Sequence, residues 1–223
     1  SLHVDDLKDR FADFRNKIHH IPNGFDSEDF EGVKQSFPDK LVIAHGGTLC
    51  SPHTIEPFFE ALTELEDDIR GQIEFWQIGA VNEDIHKMLM ERFSNQVKIE
   101  FMGYKSHKDS LRTLGKASGI IVFGGVDKES LKIIPAKLYE GLAFKKRLMA
   151  VVEKESAVKE VIDDMLGVVH LDPNDRESMG RGLNEIIDAY RSDSLFTKSR
   201  DSELKKYERK YQAKQMAELL ENV

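Results

Sequence analysis

The sequence predicts an α/β fold, a Rossmann-like doubly wound parallel sheet of about six strands with helices on both faces. Two observations support this. Short apolar runs of four to eight residues alternate with longer amphipathic segments along most of the chain, as in sheets built from βαβ units. The apolar runs are continuous rather than alternating, which is typical of strands that are buried on both faces.

Size and composition limit the class of protein. The 223 residues favour one domain of generous size. The net charge of −8, without a basic tract, disfavours nucleic acid as a partner. No apolar run approaches the ~20 residues that span a bilayer, and no signal peptide is visible. The single cysteine, Cys50, cannot form an internal disulfide, so we expect a cytoplasmic protein. Because the chain begins at Ser1 without a methionine, we expect a piece of a longer protein, and the full-length protein could be peripheral to a membrane.

The first forty residues are predicted to be a helix followed by irregular chain. Apolar residues recur at helical spacing in this segment: Leu7, Phe11, Phe14 and Ile18. This spacing predicts a helix over residues 5–18. The Ile-Pro-Asn-Gly run at 21–24 predicts a turn, and the polar stretch 26–39 predicts a connector.

The remaining elements follow in regular alternation. Strands are predicted over residues 41–45, 73–79, 97–101, 119–125, 148–152 and 168–171. Helices are predicted over residues 84–93, 108–116, 135–143, 178–190 and 203–222. Two further helices are predicted from their capping residues: one that begins after Thr54, and one that begins after Ser156 and runs to residue 166. Pro57 is expected in the first turn of its helix, where proline is tolerated.

Glycines follow several of the predicted strands: Gly46, Gly47, Gly79, Gly103, Gly124 and Gly125. Ligands of parallel sheets bind beyond the carboxyl ends of the strands, and glycine lets a ligand approach the backbone closely. For any single glycine, turn geometry is the better explanation. Together they predict a binding site at this edge.

The segment from Ile133 to Ala143 carries the most specific functional signal. Pro135 suits the first position of a helix, and the free N–H groups of the next three residues would form an anion seat with the helix dipole. Glu140 lies roughly 7–8 Å further along the axis. A nucleotide diphosphate at the helix start would therefore place its ribose near that carboxylate.

A second interpretation of the same helix is structural. Leu138 and Leu142 would face the core, and Lys137 and Glu140 would form a solvated ion pair. In that case the helix only covers the sheet. The segment alone does not decide between the two.

The Pro-x-Lys-Leu-Tyr-Glu-Gly-Leu-Ala pattern at 135–143 resembles the donor-site helix of retaining GT-B glycosyltransferases, of the type called group 1 or family 4. The run Ile-Pro-Asn-Gly-Phe-Asp at 21–26 is similar to that family's entry into its C-terminal domain. The resemblance covers about residues 21–223. It implies the GT-B C-terminal half of an enzyme that transfers a sugar, with retention, from a nucleotide diphosphate sugar to an acceptor.

The resemblance also implies a domain organisation. Residues 1–20 would be a helix or linker from the interdomain region, and 21–195 the donor-binding domain. Residues 196–223 would form a C-terminal helix that crosses to an N-terminal domain outside this chain; packing on its own sheet, or a dimer contact, is the alternative. The acceptor, a sugar, lipid or small molecule, would bind that other domain, so we expect the chain to bind nucleotide without transferring sugar.

The donor site implied by the resemblance gathers loops from four strand ends with the start of the helix. Its members are Gly46, Gly47, Thr48, Gly79, Gly103, Tyr104, Gly124, Gly125, Ile134, Pro135, Ala136, Lys137 and Glu140. Tyr104 would stack a base or pack on a neighbouring helix. The family often has Arg or Lys soon after the first loop, whereas here only His53 follows.

Three residues are candidates for the chemistry. Glu140 matches the second acid of the family's Glu-x7-Glu pair, but Lys132 occupies the first position. Glu129 would compensate if the loop is remodelled, and Lys132 would supply a charge for phosphate. No Asp-x-Asp motif and no histidine ligand spacing is present, so no metal or other cofactor is predicted.

Two other functions stay open. One is another enzyme of the same fold, a GT-B-type nucleotide-sugar epimerase or a phosphorylase-like enzyme. Such an epimerase needs acid and base groups gathered in the cleft. The other is a non-catalytic nucleotide-binding or scaffold domain. Lys132 and the cation-poor first loop slightly favour the scaffold.

Overall fold

A computed structural model describes residues 2–163, 165–196 and 201–221. Within them, six strands form one sheet in the order β3-β2-β1-β4-β5-β6, and every neighbouring pair is parallel. The strands are β1 Leu41–Gly46, β2 Ile73–Ile78, β3 Lys98–Phe101, β4 Gly119–Phe123, β5 Leu148–Val151 and β6 Val168–Leu171. The predicted sheet is confirmed. Its order reverses between β1 and β4, where a doubly wound fold has its ligand crevice.

Helices connect the strands and flank the sheet. They are α1 Leu2–Arg10, α2 Pro52–Thr63, α3 Asp67–Arg70, α4 Glu83–Arg92, α5 His107–Leu114, α6 Ala136–Ala143, α7 Ala157–Ile162, α8 Arg176–Arg191, α9 Asp201–Leu204 and α10 Arg209–Glu221. Short 3₁₀ segments are Ala12–Lys17, Ser27–Phe30, Ser130–Lys132 and Lys205–Tyr207. In the described part of the chain, no helix combines the length and the apolar character needed to cross a membrane.

Two apolar layers, one on each face of the sheet, form the core. Successive residues of β1 alternate between them: Leu41 and Ile43 pack with α2, α4 and α8, and Val42 and Ala44 pack with α5, α6 and α7. This alternation is the period of two of an extended strand. Both faces are covered, so the apolar runs of the sequence are continuous.

The two ends of the chain differ from the prediction. The helix expected over 5–18 ends at Arg10, and the 3₁₀ segment Ala12–Lys17 follows it. Phe11, which precedes that segment, and Phe14 within it are 50% and 57% exposed. The helix expected over 203–222 is interrupted at Glu208, because Phe25 donates to the Tyr207 carbonyl at 3.0 Å and accepts from Arg209 N–H at 2.9 Å. A β-bridge therefore replaces a helical turn and ties the C-terminal segment to residues near Phe25.

The start of α2 corrects two further predictions. The helix begins at Pro52, with Ser51 as the N-cap residue, so Thr54 is not its cap. The Thr54 hydroxyl instead donates to the carbonyls of Ser51 at 3.2 Å and Gly124 at 3.0 Å. Pro57 consequently lies inside the helix rather than in its first turn. The Ser156 cap of α7 is confirmed, since its hydroxyl accepts from Lys159 N–H at 3.2 Å.

A buried lysine joins the connector before β1 to the end of α5. Lys146 is fully buried, and its ammonium donates to the carbonyls of Ser36, Gly115 and Ala117 at 3.2, 2.7 and 2.5 Å. The Gly115 and Ala117 carbonyls follow the end of α5, where an α-helix provides no internal donors. Burial lowers the pKa of Lys146 to about 8.

This lowered pKa predicts a specific dependence of stability on pH. Between about pH 8 and pH 10 the unfolded chain holds a proton on Lys146 that the folded chain has released. The free energy of unfolding should therefore gain up to about 1.4 kcal/mol per pH unit from this group. Urea unfolding across this range, on the wild type and on Lys146→Met, measures the difference.

The control is Lys116→Met, which changes an exposed lysine next to the same helix end. It should keep the wild-type pH dependence, whereas Lys146→Met should lose the contribution. Identical pH dependence in all three proteins would contradict the prediction.

Candidate functional site

The loops that follow β1, β2 and β3 hydrogen-bond to one another at the carboxyl edge of the sheet. Gly47 N–H donates to the Ile78 carbonyl at 2.8 Å, and Gly79 N–H donates to the Gly103 carbonyl at 2.9 Å. The buried amide of Gln77 donates to the carbonyls of Gly47 at 2.8 Å and Ala80 at 3.2 Å. The rim of the site is therefore held by backbone contacts between loops.

Two cavities open on this rim. The first has a volume of about 460 Å³ and is lined by the loop after β1, the start of α2 and the loop after β4. The second has a volume of about 260 Å³ and is lined by the loops after β1, β2 and β3 and by the start of α5. Thr48 lines both, while Pro135 lines the first and Lys137 the second. The start of α6 therefore lies between the two cavities.

The first turn of α6 differs by one residue from the prediction. Pro135 is the N-cap residue, because its ψ of 140° is extended, and the helix begins at Ala136. Leu138 N–H donates to the Pro135 carbonyl at 3.0 Å, so it is not a free donor. The N–H groups of Ala136 and Lys137 remain at the helix start, where an α-helix provides no internal acceptor.

Glu140 lies behind the lining of the second cavity, where it contacts two lining residues, Lys137 and His107. One carboxylate oxygen is 2.8 Å from Lys137 Nζ and the other is 3.3 Å from His107 Nε2. His107 Nδ1 is in turn 3.7 Å from Asp29 Oδ2. The side chain of Glu140 is only 13% exposed. The ion pair expected from the structural interpretation of this helix is thus present, but it borders a cavity.

The other two candidates for the chemistry lie elsewhere. Lys132 Nζ is 3.9 Å from Asp6 Oδ2 of α1. Neither Lys132 nor Glu129 is among the residues that line the two cavities, whereas Asp127 and Ser130 line the first. The roles assigned to Lys132 and Glu129 stay predictions.

The predicted binding residues divide into two groups. Those that line a cavity are Gly47, Thr48, Gly79, Tyr104, Gly124, Gly125, Pro135 and Lys137. Those that lie behind the lining are Gly46, Gly103, Ile134, Ala136 and Glu140. Tyr104 is 88% exposed, so the alternative that it packs on a neighbouring helix is wrong. Its ring is accessible from the second cavity.

Two residues that line the second cavity, His107 and Ser110, were not predicted from the sequence. The rule that ligands bind beyond strand ends would have found them, since both follow the end of β3. No sequence pattern identified Gln77, because its amide joins two loops through the carbonyls of Gly47 and Ala80, which it contacts only in the folded chain.

His45 does not supply the cation that the first loop lacks. Its ring is 5% exposed, and Nδ1 lies 3.0 Å from the Ile121 carbonyl. Burial lowers the pKa of His45, so the ring is neutral near pH 7. Among the described residues, no group of three or more His, Cys, Asp or Glu side chains is arranged to hold a metal ion.

Two of the glycines at the rim are explained by contacts within the protein. Gly79 has a φ of +129°, and a Cβ there would lie 2.3 Å from the Gly47 carbonyl oxygen. A Cβ on Gly125 would lie 2.3 Å from Ser130 Cβ. Close packing of loops, rather than approach of a ligand, therefore requires glycine at these positions.

Gly79→Ala should destabilise the protein by about 2–3 kcal/mol, because alanine is strained at this φ and overlaps the Gly47 carbonyl. Chemical denaturation measures the loss. Gly180→Ala is the matched control, since a Cβ at Gly180 in α8 meets nothing within 4 Å. In a helix this change should be neutral or stabilising by ~0.5–1 kcal/mol. Equal stability of the two variants would contradict the assigned contact.

Comparison with known proteins identifies the fold. The sequence matches no family model and no curated protein. The structure is similar to HepE of Anabaena, solved with UDP and glucose: the TM-score is 0.69 at 15% identity, over 94% of this chain and 58% of HepE. Sucrose-phosphate synthase of Thermosynechococcus elongatus gives a TM-score of 0.67 at 13% identity, over 96% of this chain and 56% of the synthase.

A third similar structure, described as trehalose-6-phosphate from E. coli bound with UDP-2-fluoro glucose, gives a TM-score of 0.60 at 14% identity. The match covers 90% of the present chain and 51% of the chain in that structure. This chain thus spans about half the length of the structures it matches. The fold is the Rossmann-like α/β fold of GT-B glycosyltransferases, as the sequence predicts.

Proposed function

We propose that this chain is the donor-binding half of a retaining glycosyltransferase that uses a UDP-sugar. The observation that carries the proposal is the position of α6: its start lies between two cavities at the carboxyl edge of the sheet, and Glu140 lies about one turn further in. Similar structures that were solved with UDP or a UDP-sugar support the choice of nucleotide.

The diphosphate would bind at the helix start. The N–H groups of Ala136 and Lys137, the helix dipole and the Lys137 ammonium all favour a negative charge there. The same groups would stabilise the UDP leaving group as its charge develops in the transition state. The protein would thus act mainly through electrostatics that are already in place.

The nucleoside would occupy the second cavity. Tyr104 is exposed at its edge and offers a ring for stacking on the base. Glu140 would accept hydrogen bonds from the ribose hydroxyls. Its two oxygens each have one partner, and a carboxylate has about four acceptor sites, so capacity remains.

The acceptor, a sugar, lipid or small molecule, would bind a part of the enzyme outside these residues. In this proposal residues 21–195 are the donor domain, 1–20 a linker and 196–223 a segment that reaches the acceptor domain. Leu204 and Tyr207 are buried on the present domain, while Met216 and Leu220 are 50% and 69% exposed. The exposed end of α10 is the part available for such a contact.

The proposal is tested with Glu140→Gln. This change keeps the shape of the side chain and removes its charge, so UDP should bind about tenfold more weakly, as expected for loss of a hydrogen bond to a charged group. Isothermal titration calorimetry measures the affinity. Glu91→Gln on the exposed face of α4 is the control and should bind UDP like the wild type. Wild-type affinity of Glu140→Gln would contradict the assigned role, and no thermal shift with UDP, GDP or ADP would contradict nucleotide binding altogether.

A second variant tests whether Lys132 serves the phosphates. Lys132→Ala should weaken UDP binding severalfold if the ammonium leaves Asp6 to pair with the diphosphate. Lys128→Ala removes an exposed charge from the same loop and is the matched control. If both variants bind UDP like the wild type, Lys132 has no phosphate role.

A further inference from the structure

The cation at the start of α6 already has a partner within the protein. Lys105 and Lys137 are the only Lys or Arg side chains among the described residues that line the two cavities. Lys137 belongs to the first turn of α6, and its ammonium donates to one oxygen of Glu140 at 2.8 Å. An ammonium that a carboxylate neutralises attracts a phosphate less strongly. The ion pair therefore has to separate before Lys137 can serve a diphosphate.

The position of the Lys137 side chain permits this exchange of partners. Its Cγ lies 3.7 Å from the place that a Cβ on Gly47 would take, so the stem runs beside the loop after β1 at the helix start. The flexible four-carbon stem of a lysine lets its ammonium reach neighbouring acceptors. The argument rests on the proposed function, in which the diphosphate binds at this helix start and the ribose binds near Glu140.

Glu140 needs another partner when Lys137 pairs with the diphosphate. Its side chain is 13% exposed, and a mostly buried carboxylate that loses its partner is strongly destabilised. His107 Nε2 lies 3.3 Å from the Glu140 oxygen that Lys137 does not contact. With its proton on Nε2, the His107 ring donates to Glu140 independently of the lysine.

Two features locate the His107 ring. His107 is the first residue of α5, and the N-cap residue Ser106 fixes the start of this helix by accepting from Asp109 N–H at 3.2 Å. On the other side of the ring, Nδ1 lies 3.7 Å from Asp29 Oδ2 of the connector before β1, which is an ion-pair distance. Neither α5 nor the connector has to move when Lys137 changes its partner.

We propose that His107 is a positioning residue, which keeps Glu140 oriented toward the ribose while a bound diphosphate pairs with Lys137. In the free chain, Glu140 has both partners. In the complex, His107 retains one carboxylate oxygen, and the ribose hydroxyls donate to the remaining acceptor positions. The phosphates and the ribose can then bind together, although both recruit a member of the same ion pair.

The test compares UDP with uridine on the 223-residue chain, by calorimetry for UDP and by competition against UDP for uridine. Uridine has no phosphate to separate Lys137 from Glu140, so only UDP depends on His107. His107→Leu should weaken UDP binding about fivefold and uridine binding by less than about twofold, as expected for loss of a hydrogen bond to a charged group in the UDP complex alone. His107→Gln retains an N–H donor and should bind UDP within about twofold of the wild type.

A double variant tests whether His107 acts through Glu140. In a Glu140→Gln background, His107→Leu should cause no further loss of UDP affinity, because the effects of two residues in one network are not additive. The control is His86→Leu, which makes the same change at an exposed position of α4 that lines neither cavity. It should bind UDP and uridine like the wild type.

Four results would overturn this inference: equal losses for UDP and uridine in His107→Leu, no loss for either, an equal loss of UDP affinity in His107→Gln, or a further loss in the Glu140→Gln background. In each case, UDP binding by the wild type and its weakening by Glu140→Gln would still support the proposed function. Failure of the wild-type chain to bind UDP would overturn the proposed function and this inference with it.

Discussion

The close packing of α6 against the sheet is the constraint on which the site depends. Leu138, Tyr139 and Leu142 are fully buried in the apolar layer that includes β4 and β5, and the Tyr139 ring also lies 4.7 Å from that of Tyr207. Gly141 permits this contact, because a Cβ there would lie 2.5 Å from Leu148 Cδ1. Because one face of the helix is packed so closely, the location of its start is fixed at the edge of the sheet, between the two cavities. Glu140, which lies on the opposite side from the buried residues, is turned toward the cavity wall.

The loops around that helix start support one another in the same way. Contacts between backbone groups, such as Gly79 N–H with the Gly103 carbonyl, make the rim continuous across three strands. Thr54 extends it by donating to the Gly124 carbonyl from the start of α2. Backbone groups that bind each other are not available to a ligand. The groups at this rim that take no part in these contacts between loops are the first N–H groups of α6 and side chains such as Tyr104, Glu140 and Asp127.

Under the proposed function, one helix start rather than a cluster of cations would hold the diphosphate. Lys137 borders the second cavity and is paired with Glu140. His45 is buried and neutral, and Lys132 points to α1. A net charge of −8 adds an unfavourable field for any anion. The N–H groups and the Lys137 ammonium at the start of α6 would have to outweigh this field. They can do so at short range, because salt screens charges that are more than about 10 Å away.

Local periodicity was sufficient to predict the sheet, its strands and most helices, because burial on both faces leaves continuous apolar runs and buried helix faces leave a 3.6-residue repeat. The same local reasoning identified the segment around Pro135 and the carboxylate of Glu140. It did not anticipate the break at Glu208, the position of Lys132 beside Asp6, or the contact of His107 with Glu140. These contacts join residues that are 183, 126 and 33 positions apart, respectively.

Such contacts depend on where whole elements come to rest, and no short window of the chain contains that information. The loop after β4 shows this difference between sequence and structure most directly. The sequence presents Asp127, Glu129 and Lys132 as three charged residues of one exposed loop. Only the folded turn, closed by Ser130 over Gly125, directs Asp127 to the cavity lining. Residue type and spacing determine which groups are available, whereas the packing of distant elements determines which of them face the same space.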